Sequence, residues 1–250
     1  MASSTSTSST STSVGASSTT TGSSGSSGSG GSGGMGGART DAGTRGTSTL
    51  GAVLSESLFN QIFPRRNSFY TYASLIDAAK KFPSFASEGT QDQRKQELAA
   101  FFGNVARETG ELRYIEQIAK DLYCSPGAYP CTPGQQYYGR GPLQISWNYN
   151  YGACGTALGL DLLNNPGLVA SNPTVSWQTA LWFWTQSNPT GVGTCHSAML
   201  EGKGFGMTIR IINGGVECDG KATDAVQDRI SHYQSYCAIL SVSPGSNLSC

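Results

Sequence analysis

A mainly α-helical fold is predicted by two observations: four stretches in which apolar residues return every three or four positions, and a scarcity of strand signals. Thr71 to Phe82 places Leu75, Ile76, Ala79 and Phe82 at helical spacing, and Pro83 stops the pattern. Thr90 followed by Gln93 is a capping box opening a longer helix, in which Leu98, Phe101, Phe102 and Val105 form the stripe of a buried face. Trp177, Ala180, Leu181 and Trp184 make a third stripe, and Val226, Ile230, Tyr233, Cys237 and Leu240 a fourth. Ile211 and Ile212 read as the end of another helix that stops at the Asn213-Gly214-Gly215 turn. No internal repeat is visible.

The 250 residues divide sharply by composition. Of residues 1–37, 22 are Ser or Thr and 10 are Gly, and the first charged residue is Arg39. Such a segment has too little apolar surface to offset its ordering entropy. Residues 1–50 are therefore expected to be a disordered linker and residues 51–250 a single domain, with globular composition from Leu54 onward. The net charge of zero excludes electrostatic nucleic-acid binding as a main activity. No apolar run is long enough to span a membrane. A monomer is expected.

All seven cysteines lie from position 124 onward, at 124, 131, 154, 195, 218, 237 and 250. There is no Cys-x-x-Cys pair, and His196 and His232 are the only histidines, so neither a metal site nor a cofactor is expected. Disulfides in an exported protein fit better, and the sequon Asn247-Leu248-Ser249 agrees. An extracellular location is expected, although Met1 to Thr5 offers neither a basic nor an apolar signal region. An upstream segment is accordingly expected to be missing from this chain.

Three places carry candidate chemistry. Glu108 follows Phe101 and Val105 by seven and three residues, so on a continuing helix it projects from the apolar stripe. A carboxyl set against apolar surface suits a proton donor; a carboxylate at a frayed helix end in solvent is the other reading. From Leu143 to Tyr151 polar and apolar residues alternate. An extended segment would align Gln144, Ser146, Asn148 and Asn150 on one face, a row of groups suited to a sugar's hydroxyls. Asn213 reads as a cap or a ligand contact, and Arg229 lies beside the stripe of the last helix.

Arg107-Glu108-Thr109-Gly110, the run Tyr137 to Tyr151, Ile212 to Cys218 and the closing Asn247-Leu248-Ser249-Cys250 resemble the catalytic domain of glycoside hydrolase family 19 chitinases. The likeness is nearest to the compact class IV and bacterial members, and it spans roughly Leu54 to Cys250. It implies a two-lobed, lysozyme-like fold stapled by disulfides, with few short strands and a cleft for β-1,4-linked N-acetylglucosamine. It also implies an inverting mechanism using an acid and a base. Carried over, Glu108 matches the general acid and Ser146 a residue holding the attacking water. Gln144, Tyr149, Asn150 and Asn213 match substrate contacts, and Glu217 and Arg229 an acid-orienting network. Cys124–Cys131 and Cys218–Cys250 match family disulfides, which leaves Cys154, Cys195 and Cys237 unassigned.

Two positions depart from the family pattern. Arg107 stands where a His is usual. The base position, nine residues after the acid, is Gln117, whose carboxamide cannot accept a proton at neutral pH. Glu116 is the nearest carboxylate. The implied activity is an endo-acting chitinase weakened at the base, with Glu116 as substitute. A chitin-binding protein that has lost hydrolysis is the alternative, and action on peptidoglycan is a third reading.

Overall fold

The computed structural model describes residues 49–250. The expected linker over 1–50 lies outside them apart from its last two residues. A 3-10 turn at Thr49–Ala52 leads into α1 (Glu56–Ile62), α2 (Tyr72–Ala79), α3 (Gln91–Thr109), α4 (Asn148–Leu158), α5 (Leu168–Ser171), α6 (Pro173–Gln186), α7 (Cys195–Leu200), α8 (Phe205–Glu217) and α9 (Thr223–Ile239). Among the described residues the only β pairing is two isolated bridges, Glu116 with Arg140 and Arg140 with Ile145.

The central element is α3. Both halves of its capping box form: Gln93 N–H donates to Thr90 Oγ1 at 3.2 Å, and Thr90 N–H to Gln93 Oε1 at 2.9 Å. Leu98, Phe101, Phe102 and Val105 are fully buried, and so are Ala99, Ala100 and Asn104, so the helix is enclosed on more than one face. Its closest neighbour is α9. A Cβ at Gly103 would lie 3.1 Å from the Tyr233 backbone nitrogen, which only glycine accommodates without displacing α9. Phe101 packs edge-on against Trp184 of α6, and Phe102 against Phe63, with ring centroids 5.4 and 5.2 Å apart. Truncating either phenylalanine should cost about 3–5 kcal/mol.

The helices form two groups. In one, α3 packs on α9 and α7, and α8 packs on α7 and α9; in the other, α2, α4 and α5 pack on α6. The core is continuous between them. Between α3 and α4, residues 110–147 contain no helix and no strand beyond the two bridges, and the Cys124–Cys131 disulfide staples this loop. Long irregular segments on a rigid scaffold are where sites are built. A second disulfide, Cys218–Cys250, fastens the C-terminus beside the end of α8, while Cys154, Cys195 and Cys237 are buried thiols.

Two local expectations are corrected. The segment from Leu143 to Tyr151 is not extended. Gln144 N–H bonds back to Gly141 O at 3.0 Å with Gln144 at φ +47°, and α4 begins at Asn148. Asn is favoured at helix starts and depleted in strands, so the apparent alternation is a turn followed by a helix. Gln144, Ser146, Asn148 and Asn150 therefore do not share one face. At Asn213 the regular helix does break, with φ −147° and ψ 23°, but a further turn of helix runs to Glu217 in place of the expected Asn-Gly-Gly turn. The Asn213 side-chain amide donates to Glu217 Oε1 at 2.7 Å, a bond four residues along that carries the chain across the break.

Candidate active site

At the end of α3, the Glu108 side chain is 19 % exposed and its Oε1 accepts a hydrogen bond from Arg229 Nη2. Arg229 is 1 % exposed. A guanidinium is kept in a core only when its donors are satisfied. Here Nε and Nη2 each donate to Glu217 at 2.8 Å, and Nη1 donates to Asn104 Oδ1 at 3.2 Å. Asn104 is held in turn, donating to Ala100 O at 2.9 Å and to Thr208 Oγ1 at 3.0 Å. Glu217 therefore accepts three hydrogen bonds, counting that from Asn213, whereas Glu108 accepts one. Burial acts to raise the Glu217 pKa, but Arg229 and Asn213 outweigh it and hold the carboxyl below its ordinary value. Both carboxyl groups meet one guanidinium, and Glu217 is the more fully bonded of the two. Arg107 turns outward, 3.6 Å from Asp228 of α9.

A second group of the expected site residues lies in the 110–147 loop. Gln117 is enclosed by partners: its Nε2 donates to Ala119 O at 2.7 Å and to Tyr123 Oη at 2.9 Å, while its Oε1 accepts from Gly139 N–H at 3.1 Å. A Cβ at Gly139 would lie 3.0 Å from Gln144 Oε1 and 3.2 Å from Gln117 Oε1, so glycine lets both amides close on the backbone. Glu116 points into a different set of groups. Its Oε1 accepts from Tyr138 Oη at 2.9 Å and Arg140 Nε at 3.3 Å, and its Oε2 from Lys120 Nζ at 3.0 Å. Burial opposes ionisation of Glu116, but these donors outweigh it and its pKa is lowered. Arg140 is itself fixed, with its guanidinium 3.7 Å from the Tyr138 ring centroid and Nη1 donating to Tyr151 Oη at 2.9 Å.

Gln144 Nε2 donates to Gly141 O at 2.8 Å and Ile115 O at 3.4 Å, tying the turn to the loop. Ser146 Oγ donates to Gln144 O, and Asn150 Nδ2 to Ser146 O, both at 2.9 Å. Asn148 is fully buried and works as a brace: its Oδ1 accepts from Ser125 N–H, and its Nδ2 donates to Ser125 O and Tyr129 O. Tyr149 stands exposed. The structure thus assembles Glu108, Asn213, Glu217 and Arg229 into one network. It gathers Glu116, Gln117 and Gln144 around the Gly139–Arg140 backbone, with Ser146, Tyr149 and Asn150 at the entry to α4.

Residues 53–250 match the family described as chitinase class I, glycoside hydrolase family 19. The chain belongs to that family. It is 44 % identical over 242 residues to Endochitinase B of Nicotiana tabacum, covering 82 % of this chain and 74 % of that protein. It is 43 % identical over 245 residues to Inactive chitinase-like protein 1 of Hevea brasiliensis, covering 83 % and 77 %. The structure of chitinase C from Streptomyces griseus superposes with a TM-score of 0.77 at 47 % identity, over 84 % of this chain and all of that one. The mainly helical, disulfide-stapled fold is that of a family 19 chitinase.

Sequence reasoning passed over several residues that this family 19 chain uses around its site. Asn104 is four residues before Glu108, a polar residue inside an apolar stripe, and that was a legible signal. Tyr138 and Arg140 lie in the run Tyr137 to Tyr151 that carries the resemblance, without a role assigned to them there, whereas Lys120 and Tyr123 carried no signal, because loop residues converge without any sequence period.

Proposed function

We propose that this chain is an endo-acting chitinase that hydrolyses β-1,4-linked N-acetylglucosamine polymers with inversion, at a rate limited by its base. The observation that carries this reading is the pair of carboxyls on one buried guanidinium. Glu217 accepts two hydrogen bonds from Arg229, while Glu108 accepts one from the same cation, is partly exposed and keeps one oxygen free to meet a leaving group. In this mechanism protonated Glu108 delivers its proton to the leaving glycosidic oxygen, and Arg229 then stabilises the carboxylate that forms. A water, steadied by Ser146, attacks the opposite face of the sugar. Inverting pairs of carboxyls sit about 6.5–9.5 Å apart to admit that water. Gln117 can orient the water but cannot take its proton. Glu116 can, through the lone pair its three donors leave on Oε2, although those donors make it a weak base. Gln144, Tyr149, Asn150 and Asn213 serve the sugar residues. Residues 1–50 act as a tether, and the enzyme works outside the cell on chitin in cell-wall material.

The second reading, a chitin-binding protein without hydrolysis, is favoured by Gln117 and by the likeness to a relative named as inactive. Turnover of soluble N-acetylglucosamine oligomers separates the two. Slow release of products with α configuration at the new reducing end supports the enzyme; binding with no products, alongside cleavage by Gln117→Glu, supports the binder. Products of β configuration would contradict inversion.

A further inference from the structure

Seven large apolar side chains stand exposed among the described residues, and five of them lie on two segments beside Glu116, Gln117 and Ser146: Tyr114, Ile118, Leu122, Trp147 and Tyr149. Backbone hydrogen bonds hold the Leu122 end of the first segment beside the second. Asn148 N–H donates to Tyr123 O at 3.1 Å, Tyr137 N–H to Leu122 O at 2.9 Å, and Trp147 N–H to Tyr137 O at 2.8 Å. An apolar patch that coincides with a polar site marks a ligand surface.

Trp147 is the telling member. It is 37 % exposed, so its indole does not fill the core. Its ring lies edge-on to Tyr123, with centroids 5.2 Å apart, and nearly parallel to Tyr149 at 6.0 Å and 14°. Its backbone is at φ +74° and ψ 137°, a region that bulky L residues avoid at a cost of about 1–3 kcal/mol. Glycine would occupy that backbone without strain. A position that a purely structural demand would give to glycine instead carries the largest aromatic side chain, held out to solvent one residue from Ser146.

We propose that Trp147 is a stacking platform for one N-acetylglucosamine ring of the bound polymer, with Tyr149 extending the surface. A pyranose presents a face of C–H groups that matches a flat apolar ring, and the indole N–H can donate to a hydroxyl or acetamido oxygen at the edge. The inference rests on the reading that this site takes N-acetylglucosamine polymers.

The other three tryptophans are buried: Trp177 and Trp184 completely, and Trp182 to 7 % exposure. A ligand stacking here therefore changes the surroundings of Trp147 alone. The experiment titrates full-length protein carrying Glu108→Gln, which blocks turnover, with N-acetylglucosamine oligomers, following tryptophan emission and binding heat together. The expected result is a saturable emission change whose midpoint matches the calorimetric one. Adding Trp147→Phe should abolish the emission change while affinity stays within about threefold, and Trp147→Ala should weaken binding about tenfold, the size of one aromatic contact. Trp147→Gly, free of the backbone strain, should melt no lower than Trp147→Ala, which separates lost stacking from lost folding. Binding heat with unchanged emission, or unaltered affinity in Trp147→Ala, overturns the platform alone. No binding heat with any oligomer overturns the platform and the substrate reading together.

Discussion

Gln117 and Gly139 are joined twice: the Gln117 backbone N–H donates to Gly139 O at 2.8 Å, and the Gly139 N–H donates to Gln117 Oε1 at 3.1 Å. The remaining amide nitrogen faces a carbonyl, Ala119 O, at 2.7 Å. A glutamate here would keep Gly139 N–H and gain Tyr123 Oη as donors, but would set a carboxylate oxygen against that carbonyl. Gln117→Glu should therefore lose about 1–3 kcal/mol of stability through the unmet carbonyl. It should also raise the rate of oligomer cleavage about 10²–10⁴-fold by supplying a proton acceptor. Thermal unfolding and turnover of a soluble oligomer measure the two effects; a variant no faster than its parent would remove position 117 from the base's place.

Arg229 sits where three elements meet, bonded to Glu108 of α3 and Glu217 of α8 from its place on α9. Removing the cation leaves the two carboxyl groups without their shared donor and Asn104 Oδ1 without its partner. Arg229→Leu is expected to cost about 3–5 kcal/mol, the range for breaking one side of a buried ion pair. The double variant Arg229→Leu/Glu217→Leu should regain part of that loss, because replacing both partners by apolar groups removes the uncompensated charge. Neither should cleave substrate. Chemical denaturation of the parent, both singles and the double gives the coupling; strictly additive losses would contradict a shared network.

The same network shows what a linear sequence encodes and what it does not. The burial of α3, α6 and α9 was legible because each spans three or more turns with an unbroken apolar stripe, and the capping box at Thr90 and Gln93 is a local signal that the fold keeps. Arg229 reads as a residue beside a stripe; that it is buried depends on Glu108 and Glu217, which periodicity cannot bring together. The short or glycine-containing helices α1, α4, α5 and α7 give no usable period. The 110–147 loop takes its shape from pairings such as Gln117 with Gly139 and Asn148 with Ser125, which join residues about 20 apart. For that reason the alternation from Leu143 to Tyr151 suggested a strand, although the polar residues there serve a turn, a helix start and a buried brace.

A pH dependence unrelated to catalysis follows from His196 of α7. Its Nδ1 lies 2.6 Å from Oε1 of the fully buried Glu97, and its Nε2 lies 3.5 Å from Glu88. Glu97 also accepts from Ala86 N–H and Trp184 Nε1, each at 3.0 Å. Burial works against the charged imidazole, but Glu97 and Glu88 outweigh it and raise the His196 pKa above 6.5. A raised folded value contributes stability in full below the unfolded pKa, and that contribution is lost as pH climbs through the folded one. The parent should therefore melt higher at about pH 6 than at about pH 9, and the difference should shrink in His196→Gln. Differential scanning calorimetry at the two pH values checks this; an equal slope in the variant would assign the dependence elsewhere.

The two disulfides should fail differently. Cys218–Cys250 closes a separation of 32 residues and Cys124–Cys131 one of 7, so their loop-closure contributions are about 4 and about 2–3 kcal/mol. Local support widens the gap. Asn148 holds the shorter loop with three hydrogen bonds, whereas the C-terminal segment is tied by few, among them Gly206 N–H to Asn247 O at 2.9 Å. Cys218 also directly follows Glu217, so freeing it loosens the end of α8 that positions Arg229. Replacing Cys218 and Cys250 by Ser should lower the melting temperature more than replacing Cys124 and Cys131, and should lower kcat. The Cys124/Cys131 variant should act mainly on KM, through the loop that carries Gln117 and Tyr123. Adding Asn148→Ala to it should cost more than the sum of the two changes, since each supports the loop when the other is gone. Melting curves and steady-state kinetics on the parent, the two disulfide variants, Asn148→Ala alone and the combined variant test this, and an additive result would mean that the brace and the disulfide act independently.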